Sequence, residues 1–260
     1  MLGIEFAGPV ISEAAALADF WNEIRADFPE VQRQGPLAPM AESFDVQPTQ
    51  PQFEFRLGPG ESSQRYVFRN EEEGLAIQVQ EDRFAFSWDR LKPEQTYPRY
   101  TWIRERFQKI YATFLAAADD QRLAENPPGW CATTYTNEIT HPDSEDPLHG
   151  PLEDILLFIQ RPDSEILPPV EDTMVRQRRL LRDENDEPRG RLYIQAVPTL
   201  TPPPQSRPGY DLTLRVVQKP LEVSEAGVFT CQDEGRSLIV RSFRDITTKK
   251  MHKLWGLEED

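Results

Sequence analysis

Apolar residues at Ala14, Leu17, Ala18, Trp21 and Ile24 recur at the spacing of one helical face. The pattern predicts a first helix over residues 12–28, capped by Ser12 and stopped by Pro29. Residues 29–51 hold five prolines and no sustained period, the mark of an extended connection. Four short runs of alternating or aromatic character follow, at residues 53–57, 65–70, 75–80 and 83–88. Gly58-Pro59-Gly60, Glu71-Glu72-Glu73-Gly74 and Glu81-Asp82 separate them, so the block predicts an antiparallel meander with short turns. From Tyr100 to about Asp119, Ile103, Phe107, Ile110, Tyr111, Phe114 and Leu115 make one apolar stripe. A second helix is expected there, packed across the preceding sheet.

Asn126-Pro127-Pro128-Gly129 breaks the pattern near mid-chain. Beyond it, residues 130–139 read as a strand, 141–151 as a polar loop and 152–160 as a buried strand. Residues 174–182 and 191–197 flank the acidic stretch Asp183-Glu184-Asn185-Asp186-Glu187 and predict a hairpin. Thr201-Pro202-Pro203-Pro204 is an extended loop, and residues 210–218 alternate Leu212, Leu214 and Val216 on one strand face. Val228, Cys231, Leu238, Ile239, Phe243 and Ile246 then fit a helical stripe, with Gly235 weakening its middle, and a final short helix holds Met251, Leu254 and Trp255. Both halves run from strands in a meander to a long amphipathic helix. The expected fold class is therefore α+β, with two similar halves over residues 1–126 and 127–260. Each half would be an antiparallel sheet with a long helix packed across it, the product of an internal duplication; one irregular fused domain is the alternative.

Composition narrows the function classes. The 260 residues suffice for one large or two small cores, and no stretch approaches the roughly 20 apolar residues of a membrane-spanning helix. The first ten residues carry Glu5 and lack a basic region ahead of a long apolar run, unlike a signal peptide, so a cytoplasmic location is expected. Two cysteines, Cys131 and Cys231, are too few for a disulfide framework and are expected as thiols. The net charge of −15 repels phosphate backbones at long range, which disfavours broad nucleic-acid binding. Acidity of this kind serves solubility first, and docking onto a basic partner second.

The common catalytic signatures are missing from the sequence. It has no Gly-x-Gly-x-x-Gly or Gly-Lys-Ser/Thr loop to cradle phosphates, no His-Glu-x-x-His, no paired Cys-x-x-Cys and no Gly-x-Ser-x-Gly elbow. None of the six lysines has an acidic residue two positions before it, against a metal-dependent nuclease. His141, Asp143, Glu145, Asp146 and His149 crowd one loop where a metal is conceivable, although a polar loop of this kind is more often solvated. Cys131 beside His141 or His149 could form a thiolate–imidazole pair; burial in a strand is the commoner fate of such a cysteine. No cofactor and no metal are expected.

Two segments stand out as binding surfaces. Arg176, Arg178, Arg179 and Arg182 form the densest basic cluster, and on a strand Arg176, Arg178 and Arg182 would share a face suited to gripping phosphates or carboxylates. The bland alternative pairs them with Glu171, Asp172, Asp183, Glu184 and Asp186 nearby. Tyr97, Arg99, Tyr100 and Trp102 lead into the second helix; exposed they would anchor a partner, buried they would seat the helix.

The strand Tyr135-Thr136-Asn137-Glu138-Ile139, the aromatic lead into the second helix and the ending Phe243-Arg244-Asp245-Ile246-Thr247-Thr248 through His252-Lys253-Leu254-Trp255-Gly256 carry a resemblance. The chain resembles a sporadically distributed family of uncharacterised bacterial proteins of about this length. The likeness is strongest in these segments and weakest over the first forty residues. It implies phage-defence or mobile-element neighbourhoods and supplies no catalytic residues. Together these readings predict a non-enzymatic binding or regulatory protein, a partner subunit in a phage-defence, mobile-element or toxin-neutralising system. The alternative is a small-ligand or nucleotide sensor that holds a phosphate-containing ligand on the arginine-rich hairpin.

Overall fold

The computed structural model describes residues 1–11, 14–44, 64–92, 94–140, 151–160, 165–168, 170–200 and 207–257. The strands are β1 (Leu2–Phe6), β2 (Glu30–Gln34), β3 (Arg65–Asn70), β4 (Leu75–Gln80), β5 (Arg83–Trp88), β6 (Pro128–Thr140), β7 (Val175–Arg182), β8 (Pro188–Leu200) and β9 (Pro208–Gln218). The helices are α1 (Ala14–Ile24), α2 (Tyr100–Ala117), α3 (Asp120–Glu125), α4 (Glu225–Ile246) and α5 (Lys249–Leu254). The nine described strands join one antiparallel sheet, in the order β2-β3-β4-β5-β1-β6-β9-β8-β7.

That order corrects the expected fold class. Two similar halves, each with its own sheet and long helix, are not what forms. The first strand, β1, lies between β5 and β6, with Ile4 opposite both Phe84 and Cys131. Turn residues announce pairing between neighbours in sequence, as in β3-β4-β5, but carry no signal for a strand that inserts from far along the chain.

Two compact units can be distinguished, residues 1–133 with 217–232 and residues 134–216 with 233–260. In the first unit, Leu2, Ile4 and Phe6 of β1 point to the same sheet face as Ile77 and Val79 of β4 and Phe84 and Phe86 of β5. The α2 stripe of Ile103, Phe107, Ile110, Tyr111 and Phe114 is buried in the same core, with Phe20 and Ile24 of α1. Phe84 sits at its centre, with ring centroids 4.9 Å from Phe114, 5.5 Å from Tyr111 and 5.6 Å from Phe107. Each such aromatic pair adds about 0.5–1.5 kcal/mol beyond area burial. At the β3–β4 turn Gly74 takes φ 72°, a left-handed conformation that suits glycine.

In the second unit, Leu192, Ile194 and Ala196 of β8 and Tyr210, Leu212, Leu214 and Val216 of β9 form a core with Ile239, Ile246 and Met251. Thr248 caps α5 by accepting a hydrogen bond from the Met251 N–H at 3.3 Å. The predicted strand over residues 152–160 is instead a 3-10 turn at Leu152–Asp154 that buries Leu152, Ile155 and Leu156. A short continuous apolar run fits either conformation, because both bury it. The predicted extended stretch after Pro29 opens with β2, paired to β3 from Glu30 to Gln34. The predicted strand at residues 53–57 lies outside the described residues. No described helix is long and apolar enough to cross a membrane.

Candidate binding surface

Strand alternation assigns a second face to the sheet of the second unit. Since Leu192, Ile194 and Ala196 face the core, Arg191, Tyr193 and Gln195 of β8 face the other way. On β7, Arg178 stands opposite Tyr193, Arg176 opposite Gln195 and Leu180 opposite Arg191, so all share that outer face. On β9, Asp211, Thr213 and Arg215 alternate with the core residues. Thr136 of β6 shares the face too, its hydroxyl 3.0 Å from that of Thr213. Arg176, Arg178, Leu180, Gln195 and Thr136 are exposed, and Arg191, Tyr193, Thr213 and Arg215 are half-buried.

The result is a sheet face that carries Arg176, Arg178, Arg191 and Arg215 together with Tyr193, Asp211 and Glu138, with Arg178 directly opposite Tyr193. Directly opposed residues on antiparallel strands have Cβ atoms about 4.5–5.5 Å apart, and diagonal ones lie within reach of long side chains. Guanidinium groups at that pitch can present several N–H donors to one carboxylate-rich or phosphate-bearing ligand, while the Tyr193 ring offers a flat apolar surface. On the same face, burial pushes the Asp211 carboxyl above its usual range. Beneath it, burial raises the Tyr210 phenol, whose oxygen accepts from the Thr173 N–H at 3.3 Å.

The structure separates the arginines grouped by sequence. Arg176 and Arg178 share the outer face. Register shifts between Leu181 and Arg182, and Arg182 turns into the hairpin tip, where it donates to the Asp186 carbonyl and stands 3.6 Å from the Asp186 carboxylate. Arg179 lies on the opposite side of the strand and donates to the Gln177 side chain at 3.4 Å. Arg191, Tyr193 and Arg215 were not singled out from sequence. The signal for them is the apolar–polar alternation of β8 and β9, which marks the polar members of each strand as one surface.

The second predicted surface divides between burial and exposure. Tyr100 packs against the first unit's core and seats α2. Tyr97 and Trp102 remain 44% and 41% exposed, Tyr97 edge-on to Trp88 at 5.4 Å and Trp102 beneath the Arg106 guanidinium at 6.0 Å. Arg99 is exposed immediately before α2 and makes no side-chain cap to it.

The His141–His149 loop, and with it any pairing of Cys131 with His141 or His149, lies outside the described residues. Cys131 and Cys231 are both buried and neither is in a disulfide. Among the described residues no group of three or more His, Cys, Asp or Glu could hold a metal ion. No family model, curated protein or solved structure matches the chain.

Proposed function

We propose that this chain is a non-enzymatic binding protein that recognises an acidic protein partner through the outer sheet face of its second unit. Support comes from one observation: Arg176 and Arg178 stand exposed on the outer face of β7, with Arg191, Tyr193 and Arg215 half-buried on the same side of the sheet, within a chain whose net charge is −15. The net charge of −15 keeps copies of the chain apart at long range, while a local basic patch attracts a complementary acidic one at contact. Arginine and tyrosine are also the residue types that dominate interface energetics. The same reading makes it a regulatory subunit of a bacterial phage-defence, mobile-element or toxin-neutralising system, a role that the resemblance noted in the sequence suggests.

The test compares proteins recovered from a bacterial host by the wild-type chain and by an Arg176→Glu/Arg178→Glu variant, at low and high salt. An acidic partner that the variant loses, and that high salt weakens, is the expected result. Identical recovery by both chains would reject the surface. Thermal-shift measurements with ATP and inorganic phosphate separate the alternative: stabilisation by ATP that the variant lacks would assign the face to a nucleotide sensor instead.

A further inference from the structure

In the first unit, residues 35–64 connect β2 to β3, two neighbouring antiparallel strands. An ordinary hairpin makes that connection in about two to five residues, whereas thirty separate these two strands, of which 35–44 and 64 are described. The first ten residues of this excursion are held on the sheet face opposite α1 and α2 in an unusual way. The Leu37 N–H donates to Gln80 Oε1 at 2.9 Å, the Met40 N–H to Glu5 Oε2 at 2.6 Å and the Ala41 N–H to Glu5 Oε1 at 3.1 Å. Arg83 Nη1 donates to the Ala38 carbonyl at 2.9 Å and its Nη2 pairs with Glu5. Every one of these contacts to residues 37–41 reads main chain.

One side chain is read as well. Met40 is 5% exposed, whereas Pro36, Leu37, Ala38, Pro39 and Ala41 are exposed. Its terminal methyl lies 3.4 Å from where a Cβ on Gly3 would stand, over a row of small residues in which Gly3 is flanked by Ala85 and Ala132. The prolines fall where their missing N–H costs nothing: positions 36 and 39 alternate with the donors at 37, 40 and 41. Main-chain bonds from fixed groups, one side-chain pocket and a stiff extended backbone are how proteins bind peptides. Covering a sheet for stability alone would call for apolar residues, because Glu5 and Arg83 are costly to bury. Arg83 Nε also remains without a hydrogen-bond partner among the described residues.

We propose that Glu5, Arg83, Gln80 and the Gly3 trough form a recognition site for an extended peptide segment of a partner protein, which residues 36–41 occupy in cis. The ligand class follows from the contacts: a methionine or similar unbranched apolar residue directly after proline, small neighbours, and no proline at the three donor positions. The site is independent of the arginine face in the second unit.

A fluorescent peptide with the sequence of residues 35–44 tests this in the full chain. Three receptors are compared: wild type, Met40→Ala, and a chain with residues 36–41 replaced by Gly and Ser. The replaced chain should bind saturably with one peptide per chain, and the wild type about tenfold or more weakly, because its own segment competes at high effective concentration. Met40→Ala should fall between them. A peptide carrying Met40→Asp should lose about tenfold or more, since the pocket would bury a charge. Adding Gln80→Ala to the replaced chain should weaken binding severalfold. A replaced chain that melts cooperatively yet shows no saturable binding, or binds the Met40→Asp peptide equally, overturns the proposal. If the replaced chain does not melt cooperatively, Met40→Ala decides alone: binding no tighter than wild type overturns it. Sedimentation identifies the occupant, since a wild-type dimer that peptide dissolves would mean exchange between copies and reject the partner reading.

Discussion

Glu5 and Arg83 stand directly opposite each other on β1 and β5 and pair as ions almost fully removed from water, their side chains 7% and 3% exposed. Such a pair offers little net stability over apolar residues, but removing one member strands the other charge. Glu5→Leu or Arg83→Met alone should each cost about 3–5 kcal/mol. The combined Glu5→Leu/Arg83→Met change should cost well below the sum of its single changes, because no orphaned ion is left. Urea denaturation of the singles and the double measures this, and strict additivity would mean the two charges do not act as a pair.

Gln232 poses the opposite problem. It is fully buried in α4, and among the described residues neither its amide nitrogen nor its side-chain oxygen has a hydrogen-bond partner. A buried amide without partners loses about 1–3 kcal/mol in desolvation. Gln232→Met keeps the length and removes both polar atoms, so it should raise stability by about 1 kcal/mol or more. A lower melting temperature for Gln232→Met would show that the amide is satisfied in solution.

The sequence exposed those parts of the fold whose causes are local. The strands at 65–70, 75–80 and 83–88 appear with the boundaries their turns predict, because Glu71-Glu72-Glu73-Gly74 and Glu81-Asp82 dictate tight reversals. The α2 stripe is legible because five buried residues recur at helical spacing. The β1 strand escaped because a five-residue run with Gly3 and Glu5 inside it lacks alternation one can trust, and its pairing with β5 and β6 is non-local. Glu5 looked like an argument about export; its meaning as an acceptor for residues 40 and 41 exists only once β1 is inserted. Of the arginine face, Arg176 and Arg178 were legible from strand alternation. Arg182 was not, because the bulge at Leu181 turns it away, and a bulge leaves no mark in composition.

Asp211 gives the pH dependence. Its carboxyl is half-buried on β9, and desolvation raises its pKa in the folded chain above the unfolded value of about 3.9. Between those two values the folded state holds more protons than the unfolded one, so stability falls as pH rises through the window. Above it the full cost of the ionised carboxylate is present; below it both states are protonated and the cost vanishes. Asp211→Asn should therefore stabilise the chain at pH 7, with a gain that shrinks as pH falls and disappears near pH 3, roughly one unit below the unfolded pKa. Glu184→Gln, on the exposed hairpin tip, reports the part due to net charge alone. Urea midpoints at pH 7, 5 and 3 for the three chains decide the matter. If the Asp211→Asn gain persists unchanged at pH 3, or equals that of Glu184→Gln throughout, burial of the Asp211 carboxylate is not its source.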